Sequence, residues 1–426
     1  MSCSYYDDAR CRSCTWLPRA YAEQLRDKEL QCKALLQAYP QLEWLPPVAS
    51  PEWGFRNKAK MVVGGSVDAL TLGILDAEYA GIDLRGCPLY PPALAAAFDP
   101  VAEFLQRARV VPYHVGSRRG EAKYVLATVA EDSGELMLRV VLRSTEALER
   151  MQRQLPWLQA QLPGLRVLSA NIQPVPAAVL EGEREIVLTA ADSLTMLVNG
   201  LPLHLRPRSF FQTNSTVAAA LYRQARDWAA ERAPASAWDL YCGVGGFALH
   251  LAAEGRTVTG VEASTEAIAS AERSRDEMRL GVSDARRPVG TGPLRPDTAP
   301  GTLRQDTAPD TPRQEIAPDT HPQVHFVAAD ALEFVRRATV FPELVVVNPP
   351  RRGIGRELAQ WLDASAVDTV LYSSCNAASL ASDLAAMPQL RPRRARVLDM
   401  FPHTPHYEVL VELDRDAPAP ASGQPS

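Results

Sequence analysis

Trp238-Asp-Leu-Tyr-Cys-Gly-Val-Gly-Gly-Phe-Ala248 reads as a short apolar strand that runs into a glycine-rich turn and then a helix. Gly243 and Gly245 remove Cβ atoms where a ligand must approach backbone. Glu262 ends the following strand, where a carboxylate can accept hydrogen bonds from both hydroxyls of a ribose. The pattern predicts a pocket for an adenosyl nucleoside. Its spacing, Gly243-x-Gly245-x-x-Ala248, also fits a loose dinucleotide fingerprint, so a nicotinamide enzyme and a bare structural turn stay open on these residues alone. Cys242, inside the turn, reads as a packing residue.

From this stretch onward the chain alternates. Strands are expected at 237–241, 257–262, 324–328, 344–348 and 367–373, with helices at 246–254, 264–280, 331–338, 356–364 and 377–386 between them, and two more strands near 395–399 and 408–413. Leu344-Val-Val-Val347 has the continuous apolar character of a strand covered on both faces. The expectation is a doubly wound, Rossmann-like α/β domain over 206–416, with ligands at the carboxyl ends of its strands. Upstream, strand-like runs at 60–63, 72–75, 124–129, 136–142, 167–173 and 185–189 are punctuated by helical patterns at 91–107 and 145–161. They predict a mixed, largely antiparallel central region over 91–205, preceded by a cysteine-rich segment over 1–90. Residues 281–323, rich in Pro, Asp, Thr and Arg, read as a disordered insertion, and 417–426 as a disordered tail.

With 46% apolar and 22% charged residues, the 426-residue chain can bury full cores. No apolar stretch approaches the ~20 residues of a membrane span, and the start of the chain lacks a signal-peptide pattern, so a cytoplasmic protein without a membrane partner is expected. A formal charge of −5 excludes a generally cationic chain that coats nucleic acid indiscriminately but leaves local basic patches open. Arg56, Lys58 and Lys60 alternate with Phe55, Asn57, Ala59 and Met61, which on a strand gives one basic and one inward face. Arg118, Arg119, Lys123 and the cluster Arg391, Arg393, Arg394 and Arg396 are further candidate phosphate contacts.

Two more strand ends face the crevice that Gly243 should line. Val347-Asn-Pro-Pro-Arg-Arg-Gly353 follows one strand; its proline pair stops the ladder and fixes Asn348, whether as a structural stop or as an amide for a polar ligand group. Tyr372-Ser-Ser-Cys-Asn376 follows another, and Cys375 directly precedes a helix, a setting that favours a thiolate. Buried, inert cysteine is the alternative. Seven cysteines, an odd number with no export signal, argue against a disulfide framework. Cys3, Cys11 and Cys14, spaced C-x7-C-x2-C, with Cys87 at a distance, suffice for structural zinc or an iron-sulfur cluster, and spacing does not separate the two. Cys32 reads as spare.

Together these motifs resemble the S-adenosylmethionine-dependent RNA uracil-C5 methyltransferases over nearly the whole chain outside the insertion and tail. Phe55-Arg-Asn-Lys-Ala-Lys-Met-Val-Val63, Ser209-Phe-Phe-Gln-Thr-Asn214, Asn348-Pro-Pro-Arg-Arg-Gly-Ile-Gly355 and Asp399-Met-Phe-Pro-His-Thr-Pro-His-Tyr-Glu408 carry the likeness. The resemblance implies Cys375 as nucleophile and Glu408 as base. It also implies contacts to S-adenosylmethionine from Gln212, Tyr241, Glu262 and Asn348, and a [4Fe-4S] cluster on Cys3, Cys11, Cys14 and Cys87. Many members carry Asp where this chain has Asn348, which excludes a role needing negative charge there. The implied partner is 23S rRNA, at an unpaired or flipped uridine 747, with no DNA substrate and a monomeric enzyme. His403 and His406 are expected to brace their loop rather than shuttle protons. A tRNA or another rRNA uridine would use the same chemistry. A non-catalytic iron-sulfur protein would not need Cys375, an N6-adenine methyltransferase prefers an aromatic residue where Arg351 stands, and a cytosine-C5 enzyme typically carries its nucleophile after proline.

Overall fold

The computed structural model describes residues 3–176, 179–285 and 322–415. The tail at 417–426 and all but the two ends of the insertion at 281–323 lie outside the described residues. Eight strands form one sheet, in the order Glu43–Val48, Leu390–Leu398, Glu408–Arg415, Thr369–Ser374, Leu344–Val347, Ser236–Leu240, Thr257–Glu262 and Gln323–Ala328. The last five run parallel, and Leu344–Val347 is buried at every position, as its apolar run requires. Glu408–Arg415 inserts antiparallel between Thr369–Ser374 and Leu390–Leu398. This reversal brings the start of one strand beside the carboxyl end of another, so residues just past Ser374 and those opening at Glu408 meet at one sheet edge.

A second sheet of seven strands, in the order Gly81–Asp83, Ala69–Leu75, Lys58–Ser66, Ala122–Val129, Leu136–Leu142, Leu165–Ile172 and Arg184–Val187, is antiparallel except for one parallel pair, Leu136–Leu142 with Leu165–Ile172. The helices Phe98–Arg107 and Leu148–Gln161 pack on it through Val101, Phe104 and Met151 against Met61, Val125 and Leu138. The alternation expected at residues 55–61 holds: Phe55, Asn57, Ala59 and Met61 are buried while Lys60 is exposed and lies over the Tyr124 ring. Lys123 is not available to a phosphate. It is buried and donates to the carbonyls of Gln173 and Val175 at 2.7 and 2.9 Å. Within the arginine cluster, Arg394 pairs with Glu231 and Glu412, Arg393 with Asp414, and Arg396 donates to the Pro46 carbonyl. These side chains hold the sheet edge rather than a ligand.

Two elements tie the beginning of the chain to the eight-stranded sheet. Glu43–Val48 pairs parallel with Leu390–Leu398 as an edge strand, where its two prolines break no interior ladder. The helix Tyr21–Leu35 lies nearby and buries Gln24, Lys28 and Cys32. A hairpin, Leu194–Val198 with Leu201–Leu205, turns at Asn199-Gly200, both at positive φ as that two-residue turn demands, and leads to the helix Ser215–Arg232. Asn214 caps this helix by accepting the Val217 N–H.

Candidate active site

The glycine turn is built from the strand upward. Buried Asp239 accepts the Ala248 N–H at 2.8 Å and so anchors the first turn of the helix Gly246–His250 to the strand beneath it. Tyr241, Gly243 and Gly245 all take positive φ. At Gly243 a Cβ would meet nothing within 4 Å and would project into open space, whereas at Gly245 it would collide with the Phe326 ring. One glycine therefore leaves room for a ligand and the other lets the turn pack. Glu262 closes the cradle, accepting the Gly243 N–H at 3.3 Å through one oxygen and the Ser264 N–H at 2.9 Å through the other.

These residues line a cleft of about 660 Å³ together with Gln212, Asn348, Arg351, Cys375, His406 and Glu408, a volume suited to a small organic ligand. All eight residues expected for catalysis and adenosyl binding border it except Gly245, which supports the turn from behind. Gln212 is carried on a segment that Asn57 clamps, donating to the Gln212 carbonyl at 3.0 Å and to the Ser215 hydroxyl at 2.8 Å.

The reacting end lies across the sheet edge. Ser374 pairs with Val409, so the register continues to Cys375 opposite Glu408. Glu408 is fully buried, with the Ser373 hydroxyl donating to its carboxylate at 2.5 Å, and burial pushes its pKa up to about 7. Cys375 corrects an expectation. Asn376, not the cysteine, caps the helix Ala377–Ala385. Burial and the nearby Glu408 carboxylate raise the thiol above its ordinary value, while the Arg351 guanidinium pulls it down. Burial is the largest of these influences and sets the direction.

Arg351 was not singled out by its sequence position as a site residue, although it shares the strand end that carries Asn348. Asn376 donates to its carbonyl at 2.9 Å, and its guanidinium donates to His406 Nδ1 at 3.0 Å. His406 borders the cleft, and its backbone N–H bonds Thr404 within the loop, whereas His403 is buried and braces the loop as expected. Phe210, 70% exposed, stands at the cleft rim. Cys242 is buried, as expected of a packing residue, and borders the cleft.

Elsewhere, Cys3, Cys11, Cys14 and Cys87 come together around one small, wholly apolar cavity that Leu17 and Trp53 also line. Among the described residues, no three or more Cys, His, Asp or Glu side chains close into a set that could hold a single metal ion. Burial and the charges of its neighbours push Cys14 up to about 12 and Cys87 up to about 11. Cys32, buried in the helix Tyr21–Leu35, meets Tyr407 rather than this cavity. No helix among the described residues is long and apolar enough to cross a membrane.

A parallel sheet with a glycine turn and a terminal carboxylate at its carboxyl edge is the fold of the S-adenosylmethionine-dependent methyltransferases. Its likeness to solved structures agrees: the tRNA (uracil-54, C5)-methyltransferase of Pyrococcus abyssi, crystallised with S-adenosyl-L-homocysteine, superposes with a TM-score of 0.68 over 94% of this chain and 85% of that one, at 21% identity. The family model for tRNA (uracil-5-)-methyltransferase matches residues 332–416. The 23S rRNA (uracil(747)-C(5))-methyltransferase of Pectobacterium carotovorum is 46% identical over 98% of this chain and all of its own length, and that of Halothiobacillus neapolitanus 48% identical over 97% and all of its own. The chain belongs to this family of 23S rRNA (uracil-C5)-methyltransferases and is an enzyme of that class.

Proposed function

We propose that the enzyme methylates C5 of uridine 747 in 23S rRNA through a transient bond between Cys375 and C6 of the uracil. One observation carries this reading: Cys375, Glu408 and the glycine cradle open on a single cleft. The full-length kinship reported above supports the substrate. When bound, S-adenosylmethionine supplies an electrophilic methyl group on a sulfonium. Glu262 is placed for its ribose hydroxyls, Gly243 gives it backbone access, and Tyr241, Gln212 and Asn348 surround the remainder.

Uracil C5 is too weak a nucleophile to take a methyl group unaided. Cys375 therefore gives up its thiol proton to solvent at the cleft mouth, and the sulfur adds to C6. The C5=C6 electron pair moves toward C5 and the O4 oxygen, where Arg351 is the cation at hand. C5 then takes the methyl group that bound S-adenosylmethionine would supply from its sulfonium, a neutral thioether being what would remain. Glu408 next removes the C5 proton; that bonding pair restores the double bond, and the C6–S bond breaks with its electrons returning to Cys375. Because C5 and C6 must enter between thiol and sulfonium, the uridine is presented unpaired or flipped out of its stack. Lys60, exposed on the seven-stranded sheet, with the half-buried Arg56 and Lys58 beside it, would follow phosphates, and the enzyme acts as a monomer.

Labelled methyl transfer to a 23S rRNA fragment tests the assignment: the label should enter the fragment and vanish when uridine 747 is replaced by cytidine. Transfer to the replaced fragment at an undiminished rate contradicts it. Release of methylated RNA from the enzyme, the step that follows methyl transfer, carries a pH signature. Glu408 acts as a carboxylate and holds its proton up to about pH 7, so the single-turnover rate of release should climb as pH is raised through 7. An ordinary glutamate would be fully ionised well below that pH. A flat profile between pH 6 and 8 would count against Glu408 as the base.

We infer further that Cys3, Cys11, Cys14 and Cys87 hold a [4Fe-4S] cluster. Burial in the apolar cavity, with the neighbouring thiols adding to it, raises Cys14 and Cys87 and so opposes their thiolates, a cost that a bound cationic centre would offset. The family resemblance favours a cluster over a lone zinc ion. Such a centre would supply cross-linking rather than redox chemistry to a polar methyl transfer. Protein purified without oxygen should carry about four iron atoms per chain; about one zinc and no iron would overturn the assignment.

A further inference from the structure

The helix Tyr21–Leu35 breaks the usual rule for a surface helix, which buries an apolar stripe. Its buried residues are Gln24, Lys28 and Cys32, while Leu30 and Leu35 are exposed. Spaced four apart, the three share one face, and each meets the loop 399–407 that runs into Glu408. The Gln24 carbonyl oxygen accepts the His403 N–H at 2.9 Å. The Lys28 ammonium, wholly buried, donates to Asp399 at 2.6 Å and to the Phe401 carbonyl at 3.0 Å. Cys32 contacts the Tyr407 hydroxyl, one residue before Glu408.

His403 is the point where this loop meets the cysteine segment. Its backbone is left-handed, with φ at +63°. Its carbonyl accepts the Trp16 N–H at 2.9 Å, and Leu17 next door is bonded to the Cys14 carbonyl. The Glu52 carbonyl can only accept, so His403 Nε2 carries a hydrogen and donates to it at 3.0 Å. Nδ1 faces the Gln24 amide nitrogen at 3.3 Å, whose two hydrogens also serve the Trp16 and Arg19 carbonyls at 3.0 and 2.9 Å. The Trp53 ring sits 4.8 Å from the imidazole, and Trp53 itself lines the cysteine cavity. Backbone N–H, carbonyl and both ring nitrogens of one residue are thus all engaged by the N-terminal chain.

We propose that His403, held by the polar stripe of the 21–35 helix and by Trp16 and Trp53, is a positioning residue that makes the order of the cysteine segment a condition for aligning Glu408. The proposal rests on Glu408 as the base. It gives the N-terminal cysteines a part in turnover without any electron transfer: whatever binds them fixes Trp16 and Trp53, these fix His403, and the loop from His403 delivers His406 and Glu408 to the cleft.

The test uses the full-length enzyme carrying His403→Asn, since asparagine tolerates the left-handed backbone, and separately Gln24→Met. Three quantities are measured: turnover on ordinary RNA, covalent trapping on 5-fluorouridine RNA, and backbone amide exchange over 399–407. Trapping needs Cys375 and the methyl donor but no proton abstraction, because fluorine occupies the place of the C5 proton. Both variants should lose roughly 10²-fold in kcat, the loss expected of an ångström-scale misplacement, with KM values for RNA and S-adenosylmethionine nearly unchanged and trapping close to wild type. Amides in 399–407 should exchange faster, and Cys14→Ser in an otherwise wild-type chain should produce the same change there. Should His403→Asn fail to fold, the Gln24→Met and Cys14→Ser exchange data still decide the matter. Turnover and trapping falling together, or unaltered exchange in 399–407 on loss of Cys14, overturns the coupling. If these exchange changes appear but Glu408→Gln turns over normally, the coupling stands and the assignment of the base fails.

Discussion

Cys375→Ala should remove all measurable methylation, a loss of at least about 10⁴-fold by analogy with other enzymes deprived of a covalent nucleophile, while the adenosyl pocket keeps its affinity. The side chain is only partly exposed at the end of Thr369–Ser374, and its removal takes one sulfur from the cleft wall without touching the Asn376 cap of the next helix. Stability should therefore change little. The expectation is specific in a second respect. The resting thiol sits above its ordinary value because burial and Glu408 both oppose a negative charge there, so alkylation by a neutral reagent should be slow in the free enzyme. Arg351→Gln, which removes the one cation that lowers this thiol, should slow it further. Activity retained by Cys375→Ala would exclude the covalent route.

Glu408→Gln should have a different outcome. The amide keeps the volume and can still accept the Ser373 hydroxyl, but it cannot take a proton. Attack and methyl transfer should proceed and then stall, so that methylated RNA accumulates on the protein even with ordinary uridine as the target, and turnover should fall by about 10²–10⁴-fold. The same substitution should raise stability above neutrality. The folded-state pKa, about 7, lies above the unfolded value near 4.5, so the native state holds the proton more tightly and stability falls as pH rises between the two. Glutamine carries no such penalty. Relative to wild type the variant should melt higher at pH 8, with the gap closing toward pH 5. A variant that releases product normally would show that Glu408 is not the base, and one that melts lower at pH 8 would show that burial does not oppose its charge.

The C-terminal half was legible because parallel strands buried on both faces read as unbroken apolar runs, and because a glycine turn between strand and helix has few other uses. The helix Arg356–Ala364 and strand Thr257–Glu262 lie where the periodicity places them. What sequence reading missed follows from competing physics. Glu43–Val48 carries two prolines and reads as loop, yet an edge strand tolerates them. The 21–35 helix hides its buried face because that face is polar, so no apolar period marks it. Arg394 and Arg396 looked like phosphate ligands because charge in a sequence does not show its partner; Glu231, Glu412 and Pro46 come from distant parts of the chain. Seven of the eight residues expected for the site border the cleft, Gly245 excepted, and Arg351 was not among them; the rise in the Cys375 thiol was hidden because part of it comes from Glu408, 33 positions away in sequence.

The transient sulfur–carbon bond is tested most directly by trapping the enzyme on a 23S rRNA fragment with 5-fluorouridine at position 747 in the presence of S-adenosylmethionine, digesting both components, and locating the cross-link by mass spectrometry. The account predicts one modified peptide, with a methylated fluorouridine attached to Cys375 and none formed by Cys375→Ala. A cross-link at any other residue, or an undiminished adduct in Cys375→Ala, would contradict it.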